Sequence, residues 1–283
     1  MIRTGLVSVT FRKLTPRAIV DLVAEAGLAA IEWGGDVHVP HGEIETARSV
    51  RQMTEDAGLA VPSYGSYYRA GHGEAVQFES VVETAIALGA PIIRIWAGKQ
   101  GSAAADAAYR ERVIEDSVDC ADLAAGAGLG IAYEYHGNTL TDTDEASVRL
   151  LRAVKHDAVT TYWQPRGHAT IEENLAGLTS ILPWLSHIHV QSWRPQQDHS
   201  RPQQSVAAEG GTERAPLSAM TGPWSQWLDT AATAPGDRVA MIEFVANDAP
   251  EQFLADAEVL KRLITECENG ESANSGLLAS VIR

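Results

Sequence analysis

The chain has 283 residues, 45 % of them hydrophobic, enough for one large domain or two small ones. Its formal net charge of −15 argues against nonspecific binding of nucleic acid or of an anionic membrane surface, both of which attract basic faces. No apolar run approaches the roughly 18 residues of a membrane span, the opening MIRTGLVSVTFRKL does not read as a signal peptide, and the two cysteines, Cys120 and Cys267, suit a reducing compartment, so a cytoplasmic location is expected.

Apolar runs of strand length alternate with helical patterns along the chain. Ile2–Val9 reads as a strand and Thr15–Ala26 as a helix, with Thr15-Pro16 placing proline at the first helical position. Ala29–Trp33, Ala60–Tyr64, Ile92–Trp96 and Leu129–Glu134 follow as strands, separated by helical stretches Glu43–Ala57, Glu74–Leu88 and Ala104–Ala127. One phrase recurs at the joins: AEAGLAAIEW, EDAGLAVPSY, IALGAPIIRIW and AGAGLGIAYE. Its glycines, Gly27, Gly58, Gly89 and Gly128, suit the left-handed position that ends a helix. The second half continues with helix Asp142–Val154, strand Ala158–Trp163, helix Ile171–Ile181 and strand Leu185–Val190. Helix Pro223–Ala231, strand Val239–Glu243 and helix Pro250–Glu266 complete the series, with Asp248 ahead of Pro250 marking the last helix start.

Eight such units over about 265 residues match a (β/α)8 barrel, an α/β fold of parallel strands ringed by helices, spanning residues 1–268 as a single domain. A doubly wound open sheet is the alternative, but no Gly-x-Gly-x-x-Gly follows the first strand. Two segments break the rhythm. Residues 192–221, rich in Pro, Gln, Ser and Gly, are expected to form a long loop after strand seven, of a length that usually marks a functional lid or a mobile segment. Residues 269–283 are expected to be a poorly ordered tail or a subunit contact, which leaves a homodimer possible.

Four late strands carry a polar residue at or near the tip: Glu134, Gln164, His189 and Glu243. A buried strand has no packing use for a carboxylate, and an unpaired buried charge is costly. Alternation is compatible with pointing all four inward. Ala132 and Gly130 would share the face of Glu134, Tyr162 and Thr160 that of Gln164, His187 and Leu185 that of His189, and Met241 and Val239 that of Glu243. Four such tips on one barrel mouth would make an oxygen and nitrogen cage suited to a divalent cation.

Eight units with Glu on strand five, His on strand seven and Glu on strand eight resemble the xylose-isomerase-like barrel superfamily, whose members include sugar and sugar-phosphate isomerases and epimerases, hydroxypyruvate isomerase, inosose dehydratase and endonuclease IV. The resemblance runs from Ile2 to about Glu266. It implies a catalytic Mn2+, Mg2+ or Co2+, with Zn2+ a further option, held by Glu134, Gln164, His189 and Glu243. The usual sixth-strand ligand is Asp, so Gln164 departs from the pattern: its neutral carbonyl still ligates hard cations but leaves the cage one charge poorer. The implied reaction is isomerisation or epimerisation of a small sugar, sugar phosphate or polyol ketone, by proton transfer through a metal-stabilised enediolate, with Glu134 and Glu243 as the acid and base. Around the mouth, His136, Arg94, Trp96, Tyr64 and Glu32 are candidate substrate contacts, with His168 and Arg194 from the later loops. Lys99, Trp33, His38, Tyr67, Tyr68 and Arg201 are secondary candidates.

Plainer roles stand beside these. Either glutamate could be ion-paired with an arginine, Arg94 could pair with Glu32 or Glu134, His187 reads as a structural histidine, and Cys120 as core. Three other functions compete: an inosose-dehydratase-type lyase using the same cage, a three-metal DNA-repair nuclease, for which this chain lacks the additional His and Asp ligands, and a barrel that binds a ligand without turnover.

Overall fold

Eight parallel strands, hydrogen-bonded in sequence order and closed by pairing of the first with the last, form the centre of the computed structural model, which describes residues 1–74, 76–167, 169–193 and 214–271. The strands are β1 (Ile2–Val7), β2 (Ala30–Gly34), β3 (Tyr64–Arg69), β4 (Ile92–Trp96), β5 (Gly130–Tyr133), β6 (Val159–Trp163), β7 (Leu185–Val190) and β8 (Arg238–Ile242). Between them lie α1 (Pro16–Glu25), α2 (Ile44–Asp56), α3 (Phe78–Leu88), α4 (Ala107–Gly126), α5 (Asp144–Val154), α6 (Ile171–Ile181), α7 (Thr221–Ala232) and α8 (Pro250–Asn269). This is the (β/α)8 barrel expected from the repeat.

The helix ends follow local chemistry. Thr15 caps α1 by accepting from the Ala18 N–H, and Gly27, Gly58, Gly89 and Gly128 all take positive φ. Asp248 does not cap α8: Ala249 holds that place, Pro250 is the first helical residue, and Asp248 pairs with Arg214 instead. Helix α4 starts at Ala107, later than the pattern suggested, because Asp106 accepts from the Tyr109 N–H. Helix α8 runs on to Asn269, three residues past its expected end, and stops at Gly270 in the left-handed conformation.

Strand three departs most from expectation. The apolar segment Ala60–Tyr64 is not the strand; Ala60 makes only an isolated bridge to Ala30, and regular pairing begins at Tyr64 opposite Trp33. Pro62 lies in that segment and has no N–H for a ladder. The strand therefore extends over YGSYYR, with a register shift between Gly65 and Arg69 and with Tyr67 at φ 59°.

Two layers of side chains fill the fold. Inside the barrel Val7, Val9, Ala30, Ala132, Tyr162, Val239 and Met241 pack together. The larger outer core lies between strands and helices and includes Ile131, Tyr133, Trp163, Ile188 and Ile242, as alternation from the strand tips requires. Leu185 is an exception: it packs in the outer core rather than the interior, because the β6–β7 register shifts between Thr161 and Trp163. Of the long loop after β7, Trp193 and Arg214 are joined by an antiparallel bridge and Leu217–Met220 form a 3-10 turn leading into α7; residues 194–213, and residues 272–283 of the tail, lie outside the described residues.

Candidate active site

The four expected tips meet at the C-terminal mouth. Glu134 follows β5, its N–H donating to the Ile95 carbonyl at 3.0 Å and its own carbonyl accepting from the Thr141 hydroxyl at 2.6 Å. Glu243 follows β8 and is tied to the Val190 carbonyl at 3.0 Å. His189 lies within β7, opposite Met241. One ligand atom from each of Glu134, His189 and Glu243 lies within 4.8 Å of the others, and all three residues are buried. The Gln164 side-chain oxygen is 3.1 Å from His189 Nδ1, while its amide nitrogen donates to the Tyr135 carbonyl at 2.9 Å. Backbone ladders thus hold three donors, and the sixth-strand amide faces the same point.

Gln191 belongs to this group and was not anticipated. Its amide donates to Glu243 and lies 3.5 Å from the Gln164 oxygen, and its carbonyl accepts from the Trp224 indole at 3.0 Å. It stands two residues beyond His189, so the alternation that singled out His189 also points Gln191 inward.

Beneath the mouth lies a buried charge network. Glu32 is fully buried and accepts at 2.7 Å from each of Arg94 Nε, the Ser63 hydroxyl and the Tyr162 hydroxyl. Arg94 also donates to Glu134, whose same oxygen accepts from the Trp96 indole at 2.5 Å. Both structural pairings considered for Arg94 therefore occur together. Burial pushes the Glu32 carboxyl up, but the Arg94 charge outweighs it, aided by His189, and leaves the group well below the usual carboxylate range. Glu243 follows the same balance, burial opposed mainly by His189, and also ends low. His189 is pushed the other way: burial disfavours its charge, but Glu243 and Glu32 prevail and raise it to about 9.

This arrangement suits a cation. His189 Nδ1 faces Gln164 and Glu243, the positions from which ligands would come. Its Nε2 is buried without a hydrogen-bond partner, 3.6 Å from Glu32, the placement of a carboxylate that backs and orients a ligating imidazole. A cation at Nδ1 would meet the same negative field that holds a proton there. Three buried carboxylates against one guanidinium leave two negative charges, a match for a divalent ion.

The remaining candidates divide. His136 stacks on Trp96 at 4.3 Å, and burial lowers its pKa, favouring the neutral imidazole. It lines a cavity of about 200 Å³ together with Gln164, Gln191, Asn138, Asp142 and Arg166, beside the ligand cluster. That volume is below the roughly 300–1,000 Å³ of drug-sized pockets and fits a small ligand. Tyr64 is not brought to this group. Because β3 begins rather than ends at Tyr64, its side chain enters the outer core and its hydroxyl meets the Val39 carbonyl at 2.7 Å and His41 at 2.9 Å. Tyr68 likewise turns to Asp116 and Phe78, and Trp33 bonds Thr54. His38 is buried against Ser8. Tyr67 alone of the three tyrosines reaches the site, 5.2 Å from the Trp96 ring and held by Arg12 at 2.9 Å. His168, Arg194 and Arg201 lie outside the described residues.

Gly65 makes the charge network possible. A Cβ there would sit 2.5 Å from Arg94 Nη2 and 3.1 Å from Glu32 Oε1. Gly65→Ala is therefore expected to destabilise the protein by about 1–3 kcal/mol, an overpacking cost. An unshifted urea midpoint in that variant would show that the network yields easily.

The family model described as xylose isomerase-like TIM barrel matches residues 20–263. No curated protein matches the sequence. Among solved structures, the chain resembles the probable 3-DHS dehydratase AsbF of Bacillus anthracis, with TM-score 0.75, 20 % identity, and coverage of 92 % of this chain and 99 % of that one. It also resembles a xylose isomerase-like TIM barrel protein of Mycobacterium smegmatis in complex with magnesium, with TM-score 0.64, 16 % identity and coverage of 94 % and 98 %. A third is D-psicose 3-epimerase of Clostridium cellulolyticum H10, solved with D-tagatose, at TM-score 0.60, 12 % identity and coverage of 95 % and 97 %. At these identities the structural likeness establishes the fold, and the family model spans most of the sequence. The chain belongs to the xylose isomerase-like TIM-barrel family.

Proposed function

We propose that this protein is a divalent-metal-dependent isomerase or epimerase of a small sugar, sugar phosphate or polyol ketone. The observation that carries the reading is the convergence of Glu134, His189 and Glu243 to within 4.8 Å at the barrel mouth. Gln164 joins them, and Gln191 is close enough to turn its amide oxygen toward the same ion. A bound cation would supply Lewis acidity to a substrate carbonyl and its neighbouring oxygen. The chain supplies the rest. Glu134, after β5, and Glu243, after β8, are the proton-moving groups. Arg94 and Trp96 hold one oxygen of Glu134 and fix its orientation. His136 and the small cavity beside Gln164 receive the substrate.

A second reading is a lyase that removes a proton and expels a β-hydroxyl as water, favoured by the probable dehydratase among the structural neighbours. Glu134 and Glu243 are held alike, each by two groups on one carboxylate oxygen, so the geometry offers either as its base. Product analysis separates the two: water loss creates an ultraviolet-absorbing unsaturated carbonyl, and epimerisation leaves composition unchanged.

Metal binding is the direct test. Mn2+ at about a hundred times its dissociation constant is expected to stabilise the fold by about 2.7 kcal/mol, raising the melting temperature by several degrees in a chain of this size, with EDTA reversing the shift. A melting temperature indifferent to millimolar Mn2+, with no heat on titration, would overturn the reading.

A further inference from the structure

Arg69 ends β3 and therefore stands at the mouth, opposite Trp96 in the β3–β4 ladder. Its guanidinium lies 3.8 Å over the Trp96 ring, and Nη1 donates to the Gly98 carbonyl at 3.1 Å. Among the described residues it has no carboxylate partner. Other arginines near the mouth differ: Arg12 is paired with Asp36, Arg94 with Glu32 and Glu134, and Arg166 with Asp144. Arg69 is half-buried, and burial lowers its pKa without a nearby carboxylate to offset the cost. A guanidinium so placed has donors in hand and a charge to neutralise.

The position relates directly to the cluster. Trp96 touches Glu134 through its indole nitrogen and His136 through its face, so Arg69 is one aromatic ring away from the candidate ligands. The cluster needs no help from it, because a divalent ion would balance the two surplus charges there. Lys99 follows in the adjoining loop, its backbone N–H held by the Tyr109 hydroxyl at 2.6 Å, and its charge acts on His72 and Glu74 rather than on the cluster.

We infer that Arg69 forms an anion subsite that selects a substrate bearing a carboxylate or phosphate a few atoms from the carbon at which the proton moves. This rests on the reading of the mouth as a metal-dependent sugar or polyol enzyme and narrows its substrate class to acidic molecules. Arg69 fixes the charged end of that substrate beside the Trp96 ring that it covers.

Calorimetric titration with three six-carbon probes tests it: neutral D-glucitol, D-gluconate, and D-glucitol 6-phosphate, each on Mn2+-loaded and on EDTA-treated protein. At least one anion is expected to bind the wild type about tenfold or more tightly than glucitol, the size of effect a charged hydrogen-bonded pair supplies. Which anion it is distinguishes a carboxylate from a phosphate site. In Arg69→Gln the preference should fall below about threefold, with Mn2+ affinity unchanged. Arg69→Lys keeps the charge without the planar fork and should weaken the preferred anion about three- to tenfold while leaving glucitol alone. No anion preference in the wild type overturns the inference, as does a preference that survives Arg69→Gln. A preference that vanishes with EDTA yet persists in Arg69→Gln places the anion on the metal and also overturns it. Should the wild type fail to bind Mn2+, the metal reading falls, and an Arg69-dependent preference in EDTA-treated protein still upholds the subsite.

Discussion

Glu243→Gln and Glu134→Gln are each expected to lower kcat by about 10²- to 10⁴-fold, equivalent to roughly 3–5 kcal/mol of lost transition-state stabilisation. The substitution preserves shape and removes the group that moves the proton. It also removes one of the two surplus charges that attract a cation, so Mn2+ should bind at least about tenfold more weakly in either variant. The effects on folding should be small by comparison. Arg94 keeps Glu32 when Glu134 is neutralised, and His189 keeps Gln164 when Glu243 is neutralised. Melting curves close to wild type, together with collapsed turnover, are the expected pair of results. Near-normal turnover in either variant would sink the assignment of these glutamates. Were only Glu134→Gln to retain turnover, proton transfer would belong to Glu243 alone and the lyase reading would gain.

Arg94→Met should produce the largest loss of stability. Arg94 is buried, 1 % exposed, between Glu32 and Glu134. Removing it strands two carboxylates in a low-dielectric interior, and breaking a buried pair this way costs about 3–5 kcal/mol. Against a total stability of about 5–15 kcal/mol, that is a large fraction. Urea unfolding should show the midpoint fall with the slope unchanged. Adding Glu32→Gln to the Arg94→Met chain removes one stranded charge and should recover at least about 1 kcal/mol, since contacting residues couple by about 0.5–3 kcal/mol. Full additivity of the two changes would show that Arg94 and Glu32 do not neutralise each other.

Much of this molecule is legible from local pattern. The Ala-Gly-Leu phrase at three joins and its relative Leu-Gly-Ala at a fourth located four helix ends because a left-handed glycine is a property of a few adjacent residues. Alternation from Glu134, Gln164 and Glu243 sorted their neighbours into inner and outer layers because side chains on a strand simply alternate. The same rule, continued two residues past His189, would have found Gln191. It failed at Leu185, where a register shift reverses the parity, and the expected bounds failed at strand three, where Pro62 moves the start of pairing to Tyr64. That displacement sends Tyr64 into the outer core and makes Arg69 the strand tip, a position that the segment Ala60–Tyr64 does not reach.

By itself the sequence determined the order of eight units, four glycine helix ends, and the placing of polar residues at four strand tips, because periodicity and helix termination depend on neighbours a few positions apart. Only the tertiary structure decided that Glu32 meets Arg94, 62 residues later in the chain, and Tyr162, 130 residues later, or that Trp96 lies between Arg69 and Glu134. Those pairings arise from closing the barrel, which sets each strand's register against two others, and no local preference encodes where distant side chains will meet.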